Sequence, residues 1–338
     1  MSVSYSKVHL DALAYELAPN VVTSAELEER VAPVYKKLGL AGGQLEALTG
    51  IRERRWWDPG YKLSDGALAA ARKALSCARF DAKELGCLIY AGVCREASEP
   101  ATACAVAAGL GVPKDTAVFD ISNACLGVLN GIVDVANRIE LGQIRAGLVV
   151  SCESAREIND SMIADMRKHP TMENLRLSMA TLTGGSGAVA VLLTDGHFGA
   201  TSRRRLLGGA YKAAPEHHAL CRWDRDHMMT DAAAVLKHGV ALGRETWSEM
   251  KRRLGWDGAD KVICHQVGGA HRASILESLN IPEQKDFSTY EYLGNIGTVS
   301  VPLTAAIADE RGFLNARDRV AFLGIGSGLN CLMLGWEW

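Results

Sequence analysis

The chain has 338 residues, of which 48% are hydrophobic and 22% charged, and its formal net charge is −2. This composition is typical of a globular protein of about two domains with a substantial core. The absence of a basic excess or polybasic tract argues against nucleic acid or an anionic membrane surface as a partner. No apolar run reaches the roughly 18 residues that a membrane-spanning helix needs, so no span is expected.

The nine cysteines are scattered, and the N-terminus shows neither the apolar core nor the cleavage pattern of a secretory signal. We therefore interpret the cysteines as reduced and expect a cytoplasmic protein. No CxxC pair occurs, and neither His265 and His271 nor His217 and His218 have the neighbours of a familiar zinc site. No metal is predicted.

An internal repeat runs through the chain. Leu88 matches Val262, and Leu141 matches Asn315, at the same separation of 174 residues. Each copy reads as a strand, a turn, an apolar helix, a polar link and a second strand. Continuous apolar strands that alternate with amphipathic helices indicate sheets covered on both faces. We therefore predict an α/β protein in which two duplicated halves stack as α/β/α/β/α layers.

The repeat also predicts element bounds: helices at about 126–141 and 300–311, with closing strands at about 146–152 and 320–324. Two segments interrupt it, namely 155–183 and 202–231. Inserted segments on a rigid scaffold often form substrate sites and lids, and solvated connectors are the alternative. We assign 1–200 to the N-terminal half, which contains the first insertion, and 201–338 to the C-terminal half.

Cys125 lies where a short polar turn passes into an apolar helix. The free N–H groups and the positive end of a helix favour a thiolate there, so Cys125 is predicted to be a nucleophile at neutral pH. The alternative is a small buried cysteine at a strand–helix joint.

Three other features lie at strand ends or turns: His265, Asn295 and the glycine-rich bend 324–330. Each alone is compatible with a purely structural role. The bend resembles a dinucleotide fingerprint, but it leads into a strand and has no acidic residue at the required distance, so NAD binding is rejected.

Together these features indicate acyl transfer through a thioester. The thiolate takes an acyl group, backbone N–H groups hold the tetrahedral oxyanion, and the histidine and asparagine donate to the enolate of a condensing partner. A cysteine protease would also use cysteine, histidine and asparagine, but it would not need the duplication.

The sequence resembles the thiolase superfamily, in its ketoacyl-synthase III branch, over nearly its whole length. The matching motifs, in the family's order and spacing, are 49–55, 123–125, 265–266, 294–297 and 324–328. The resemblance implies a thiolase-like five-layered fold, a homodimer, coenzyme A thioesters as substrates and no bound cofactor. It also implies an acyl intermediate on Cys125, an oxyanion hole lined by His265 and Asn295, and backbone donors from Cys125 and the loop around Ser327.

At two places the sequence departs from the synthase III enzymes of fatty-acid initiation, and these departures indicate a different group of the family. Gln44 and Leu48 stand where the synthases of fatty-acid initiation usually carry a tryptophan and an arginine that clamp coenzyme A. Glu99 stands where they carry a phenylalanine. The sequence is similar instead to OleA-type enzymes of long-chain olefin biosynthesis, which share the Glu-Pro pair and segments like those at 220–222, 229–231 and 323–331.

A glutamate at this position matters for the chemistry. Loss of CO2 from a malonyl thioester generates an enolate without a base, whereas two unactivated acyl-CoAs require removal of an α-proton. The resemblance implies that the loop with Glu99 crosses a dimer interface to the partner's Cys125. A surface glutamate in a turn is the alternative.

The sequence therefore predicts an acyltransferase that joins two fatty acyl-CoAs by non-decarboxylative Claisen condensation, giving a 2-alkyl-3-oxoacyl product. Downstream enzymes of the same pathway are expected partners. Two alternatives stay open: a decarboxylative synthase III that uses malonyl-CoA or malonyl-ACP, and a catalytically inactive subunit that only shapes a heterodimer.

Overall fold

The structure is a computed structural model, and it describes residues 2–198, 204–224 and 226–338. The strands are β1 Ser2–Ser4, β2 His9–Leu17, β3 Asn20–Thr23, β4 Glu53–Trp56, β5 Cys87–Ala91, β6 Ala117–Ile121, β7 Ala146–Glu153, β8 Gly187–Thr194, β9 Arg205–Ala213, β10 Cys221–Asp224, β11 His227–Thr230, β12 Lys261–Cys264, β13 Arg319–Gly326 and β14 Asn330–Glu337. The helices are α1 Ser24–Leu38, α2 Gln44–Thr49, α3 Leu63–Ala78, α4 Thr102–Leu110, α5 Gly127–Glu140, α6 Arg156–Lys168, α7 Met172–Ser178, α8 Ala232–Leu254, α9 Gly269–Ser278, α10 Tyr290–Leu293 and α11 Ser300–Glu310.

Most of the strands form two mixed sheets. The first has the order β6-β5-β7-β8-β2 and the second the order β12-β13-β14-β9-β1. A single bridge between His9 and Arg205 connects them. Strands β5, β7 and β8 are buried along their whole length, which explains why they read as continuous apolar runs.

Three apolar clusters fill the spaces between five layers. The central cluster joins α5 and α11 to strands of both sheets. The second cluster packs α3 and α4 on the first sheet, and the third packs α8 and α9 on the second. The predicted five-layered α/β fold is confirmed.

The repeat is visible in the strands themselves, because Leu88 and Val262 occupy the second position of β5 and β12. The first insertion contains α6 and α7 between the antiparallel strands β7 and β8, whereas β13 and β14 are joined by a tight turn. The boundary predicted at residue 200 lies outside the described residues and stays a prediction.

The second predicted interruption, 202–231, needs correction. Ser202 and Arg203 lie outside the described residues, but Arg205–Ala213 is β9, a central strand of the second sheet. Arg205 and the two glycines of this segment hid a strand that pairs with β14 on one side. The polar segment after it forms the β10–β11 hairpin.

Among the described residues, no helix is long and apolar enough to cross a membrane.

Candidate active site

Cys125 lies in the connection from β6 to α5, two residues before the helix begins. Ala124 just before it has a φ of 45°, a left-handed conformation that non-glycine residues rarely adopt. The amide of Leu126 closes the turn by donating to the carbonyl of Asn123 at 2.9 Å. The sharp turn presents the Cys125 thiol at the mouth of the helix, as predicted.

Cys125, Asn295 and Ser327 line one cavity, so the structure brings three of the predicted site residues together. Glu153 and Cys221 also lie in its wall. The cavity of about 260 Å³ adjoins a larger space of about 940 Å³. Five residues, Val93, Ser122, Ser154, Ile158 and Trp223, line both spaces, so the larger space lies directly beside the cavity of the thiol.

The turn of Asn295 is tied to the end of the first insertion. Its N–H donates to the carbonyl of Thr183 at 2.9 Å, and its carbonyl accepts from Gly185 at 2.8 Å. Its side-chain Oδ1 accepts the N–H of Gly297 at 3.0 Å, which fixes the orientation of the amide. Nδ2 is thereby left as the side-chain donor that Asn295 can offer to a ligand.

The glycine-rich bend around Ser327 lies directly against the nucleophile. A Cβ at Gly326 would lie 3.3 Å from the backbone nitrogen of Cys125, so a side chain there would crowd the backbone of the Cys125 loop. Asn330 Nδ2 donates to Asn123 Oδ1 at 3.1 Å and to the Ser327 carbonyl at 3.4 Å. These bonds connect the bend to the loop of Cys125, which suits backbone N–H donation to one acyl oxygen.

The thiol of Cys125 differs from the sequence prediction. Burial, followed by the neighbouring Cys221 and Glu153, raises its pKa from the usual value to about 12. In the single chain, this burial opposes the thiolate that the helix mouth was predicted to favour, and the role of Cys125 as a nucleophile stays a prediction. The helix mouth is present, but the loss of hydration on burial acts against it.

His265 follows β12 and lines a smaller cavity with His271 and residues of β13. Burial, and then His271, lowers the pKa of His265 to about 3, so the ring is neutral at neutral pH. Gln266 ties the end of β12 to the start of α10, since its Oε1 accepts the N–H groups of Thr289 and Tyr290. In the described residues, His265 is not in the wall of the cavity that holds Cys125.

Glu99 lies on the exposed loop between β5 and α4 and does not line the cavity of its own chain's Cys125. Gln44 begins α2, and Leu48 on the same helix is 61% exposed. These two positions therefore carry neither the tryptophan nor the arginine of the coenzyme A clamp described above.

Two contributors were missed in the sequence. Glu153 ends β7 and lies in the cavity wall. Thr298 accepts the N–H of Val128 at 2.7 Å through its hydroxyl, so the second half caps the first turn of the nucleophile's helix. The repeat contained a signal for Glu153, because it lies 174 residues before Ser327, at the equivalent position of the other half.

Among the described residues, no group of three or more histidine, cysteine or acidic side chains is arranged to hold a metal ion. The prediction that the reaction uses no bound cofactor stays a prediction.

The fold and the site define a member of the thiolase superfamily. Residues 62–214 match the thiolase N-terminal domain. Residues 250–338 match the C-terminal domain of 3-oxoacyl-[acyl-carrier-protein (ACP)] synthase III.

Individual relatives match the chain over nearly its whole length. The chain is 57% identical to an acyl-CoA:acyl-CoA alkyltransferase of Shewanella oneidensis, over 99% of this chain and 100% of the relative. It is 37% identical to the enzyme of that name from Xanthomonas campestris, over 99% of both. A crystal structure of Xanthomonas campestris OleA with bound lauric acid and lauroyl-CoA superposes with a TM-score of 0.95, at 37% identity, over 99% of this chain and 100% of that one. The chain therefore belongs to the family of the acyl-CoA:acyl-CoA alkyltransferases, the OleA family, as the sequence predicted.

Proposed function

We propose that this protein is an acyltransferase that joins two fatty acyl-CoA thioesters head to head. The observation that carries the proposal is the single cavity in which Cys125 meets Asn295 and the bend of Ser327. The full-length relatives are named acyl-CoA:acyl-CoA alkyltransferases, and the Xanthomonas structure contains lauric acid and lauroyl-CoA. The condensing activity predicted from the sequence agrees with these comparisons.

In the proposed reaction, a first acyl-CoA acylates Cys125 and releases coenzyme A. A base then removes an α-proton from a second acyl-CoA, and Asn295 and His265 donate hydrogen bonds to the enolate oxygen. The enolate carbon attacks the acyl-cysteine and expels the Cys125 sulfur. The product is a 2-alkyl-3-oxoacyl-CoA, which hydrolysis would convert to the free β-keto acid.

Glu99 is the proposed base, supplied by the second subunit of a homodimer. Its exposed position, outside its own chain's cavity, is compatible with action on a partner. In the Xanthomonas protein, the glutamate and the cysteine chosen for substitution lie as far apart along the chain as Glu99 and Cys125 do here. A cytoplasmic location, a role in olefin biosynthesis and contact with downstream enzymes of that pathway belong to the same proposal.

A decarboxylative synthase III is the second candidate, favoured by the match of residues 250–338. Gln44 and Leu48 weigh against it, because neither can reproduce the clamp expected there for coenzyme A. It would need malonyl thioester and would not need Glu99.

Glu99→Ala separates the two candidates. With myristoyl-CoA as the only thioester, we expect the variant to gain the acyl group on Cys125, measured by intact mass. We expect it to lose condensed product by about 100-fold or more, because no base removes the α-proton. Glu29→Ala, a change of another exposed glutamate, should behave as wild type. Undiminished condensation by Glu99→Ala would disprove this role.

A further inference from the structure

A chain of four polar side chains connects the second sheet to the loop of the nucleophile. The hydroxyl of Tyr211 donates to Asn330 Oδ1 at 2.6 Å, and Asn330 Nδ2 donates to Asn123 Oδ1 at 3.1 Å. Asn123 Nδ2 then donates to Asn130 Oδ1 at 2.8 Å. The chain thus connects β9, the start of β14, the loop before Cys125 and the first turn of α5.

The direction of these hydrogen bonds is fixed by the bend of Ser327. Asn330 Nδ2 also donates to the Ser327 carbonyl at 3.4 Å, and a carbonyl oxygen can only accept. Asn330 therefore presents its nitrogen to Asn123, whose oxygen accepts and whose nitrogen is left to donate to Asn130. A Cβ at Gly328 would lie 2.5 Å from Asn330 Nδ2, so the amide occupies space that the glycine leaves.

These side chains are placed to hold backbone rather than substrate. Among the described residues, none of the four lines either of the two spaces beside the thiol. Three of them are amides, which neither take up nor release a proton at neutral pH. The backbone that they connect does reach the cavity, because Ala124, Cys125 and Ser327 all lie in its wall.

We propose that Asn123 and Asn330 are positioning residues that set the spacing of the two backbone N–H donors to the acyl oxygen. The inference rests on the proposed function, in which those donors belong to Cys125 and Ser327. Asn330 holds the carbonyl of Ser327, and Asn123 lies two residues before Cys125, across the left-handed Ala124. The hydrogen bond between the two amides joins the bend to the loop, and donors of this kind must be held to within about 0.5 Å.

Both half-reactions of the proposed condensation use these donors. Attack of Cys125 on an acyl-CoA places negative charge on the acyl oxygen, and so does attack of the enolate on the acyl-cysteine. Alkylation of Cys125 by iodoacetamide forms no oxyanion, because the sulfur bonds to a methylene carbon and iodide leaves. The network should therefore matter for acyl transfer and not for alkylation. This pattern differs from that of Asn295, which is proposed to serve the enolate alone.

Asn330→Leu tests the proposal, because leucine nearly keeps the volume of the side chain and removes its hydrogen bonds. Acylation by myristoyl-CoA, followed by intact mass, should become about 10- to 100-fold slower, since a misplaced donor stabilises the oxyanion poorly. Condensation by enzyme that is already acylated should slow to a similar extent. The KM for myristoyl-CoA and the alkylation of Cys125 at pH 7.5, followed by peptide mass, should stay as in wild type. A role in folding alone would leave the ratio of acylation to alkylation unchanged.

Asn137→Leu is the matched control. Asn137 is another asparagine of α5, and its Oδ1 accepts the hydroxyl of Tyr5 at 2.8 Å. It does not line the cavity of Cys125. Acylation, condensation and alkylation should all proceed in this variant as in wild type.

Asn123→Leu tests whether the two amides act as one unit. It should show the same selective loss of acyl transfer. A double variant with Asn330→Leu should be no slower than the slower single variant, because either substitution already breaks the shared hydrogen bond. Asn123→Leu also provides the ratio of acylation to alkylation if Asn330→Leu does not fold, as shown by thermal unfolding.

The proposal is overturned if a folded Asn330→Leu or Asn123→Leu keeps the wild-type ratio of acylation to alkylation. It is also overturned if the losses of the two single variants multiply in the double variant. Slow condensation with normal acylation overturns it as well, since the network would then serve the enolate. A wild-type protein that gains no myristoyl group on Cys125 contradicts the proposed function instead, and the inference fails with it.

Discussion

At the scale of single residues, the orientation of the Asn295 side chain is set by a hydrogen bond within its own turn. Since Oδ1 is engaged by Gly297, Nδ2 is the side-chain group available to an oxyanion. Asn295→Asp should keep the shape but replace this donor by a negative charge. We expect condensation to fall by about 100- to 1,000-fold, with Cys125 still acylated.

The measurement is product formation from myristoyl-CoA beside the intact mass of the enzyme. Asn315→Asp, at an exposed position, is the control and should have no effect. Equal loss of acylation and condensation in Asn295→Asp would show that Asn295 acts before the enolate forms.

The sequence singled out three residues that the fold brings into one cavity, but it did not predict how their surroundings act on ionisation. The turn before α5, together with His265, Asn295 and the glycine-rich bend, was enough to single out Cys125. The pKa of its thiol depends on burial and on Cys221 and Glu153, which are distant in the sequence and cannot be placed without the fold. Glu153 was missed because an acidic residue at the end of an apolar strand also fits an ordinary strand terminus.

At the scale of elements, the helix of the nucleophile depends on the other half of the chain. Thr298 is 1% exposed and satisfies the N–H of Val128 in the first turn of α5. Thr298→Val has nearly the same shape but leaves this buried N–H without a partner. We expect the free energy of unfolding to fall by about 1–3 kcal/mol, measured by urea denaturation.

Thr102→Val is the control for that experiment, because the buried hydroxyl of Thr102 has no hydrogen-bond partner among the described residues. It should be neutral or slightly stabilising. An equal loss of stability in both variants would mean that the hydroxyl of Thr298 does not stabilise α5.

The element bounds were predictable where the apolar pattern is regular. The helices at Gly127–Glu140 and Ser300–Glu310 and the strands at Ala146–Glu153 and Arg319–Gly326 agree with the repeat to within two residues. Strand β9 was not predicted, because its glycines interrupt the apolar run by which a strand is recognised. In the fold, these glycines let the neighbouring strand come close, as at Gly209 against the Met333 carbonyl. A glycine-rich strand becomes evident from the strands that pair with it, and not from its own composition.

At the scale of the whole molecule, the two halves form one site. The nucleophile lies at the end of the first sheet, and Asn295 and Ser327 come from the second half. The duplication explains why residues so far apart in the sequence meet. Glu99, the proposed base, lies on the surface and outside the cavity of its own chain.

Mixing two inactive variants tests whether Glu99 acts across a dimer. A Glu99→Ala subunit keeps Cys125, and a Cys125→Ser subunit keeps Glu99, so a mixed dimer has one complete site. Random exchange of subunits in a symmetric dimer should restore about a quarter of wild-type condensation. No recovery, with mixed dimers shown by native mass spectrometry, would place Glu99 in the same chain's site or in none.

The central claim is that the attacking carbon comes from an intact fatty acyl-CoA and not from a decarboxylated malonyl group. The most direct measurement is the product formed from equal amounts of myristoyl-CoA and malonyl-CoA labelled with carbon-13 at the methylene. We expect a product built from two myristoyl chains that contains no label, with no release of CO2 from malonyl-CoA. A labelled product extended by two carbons, formed in place of the two-chain product, would contradict the account.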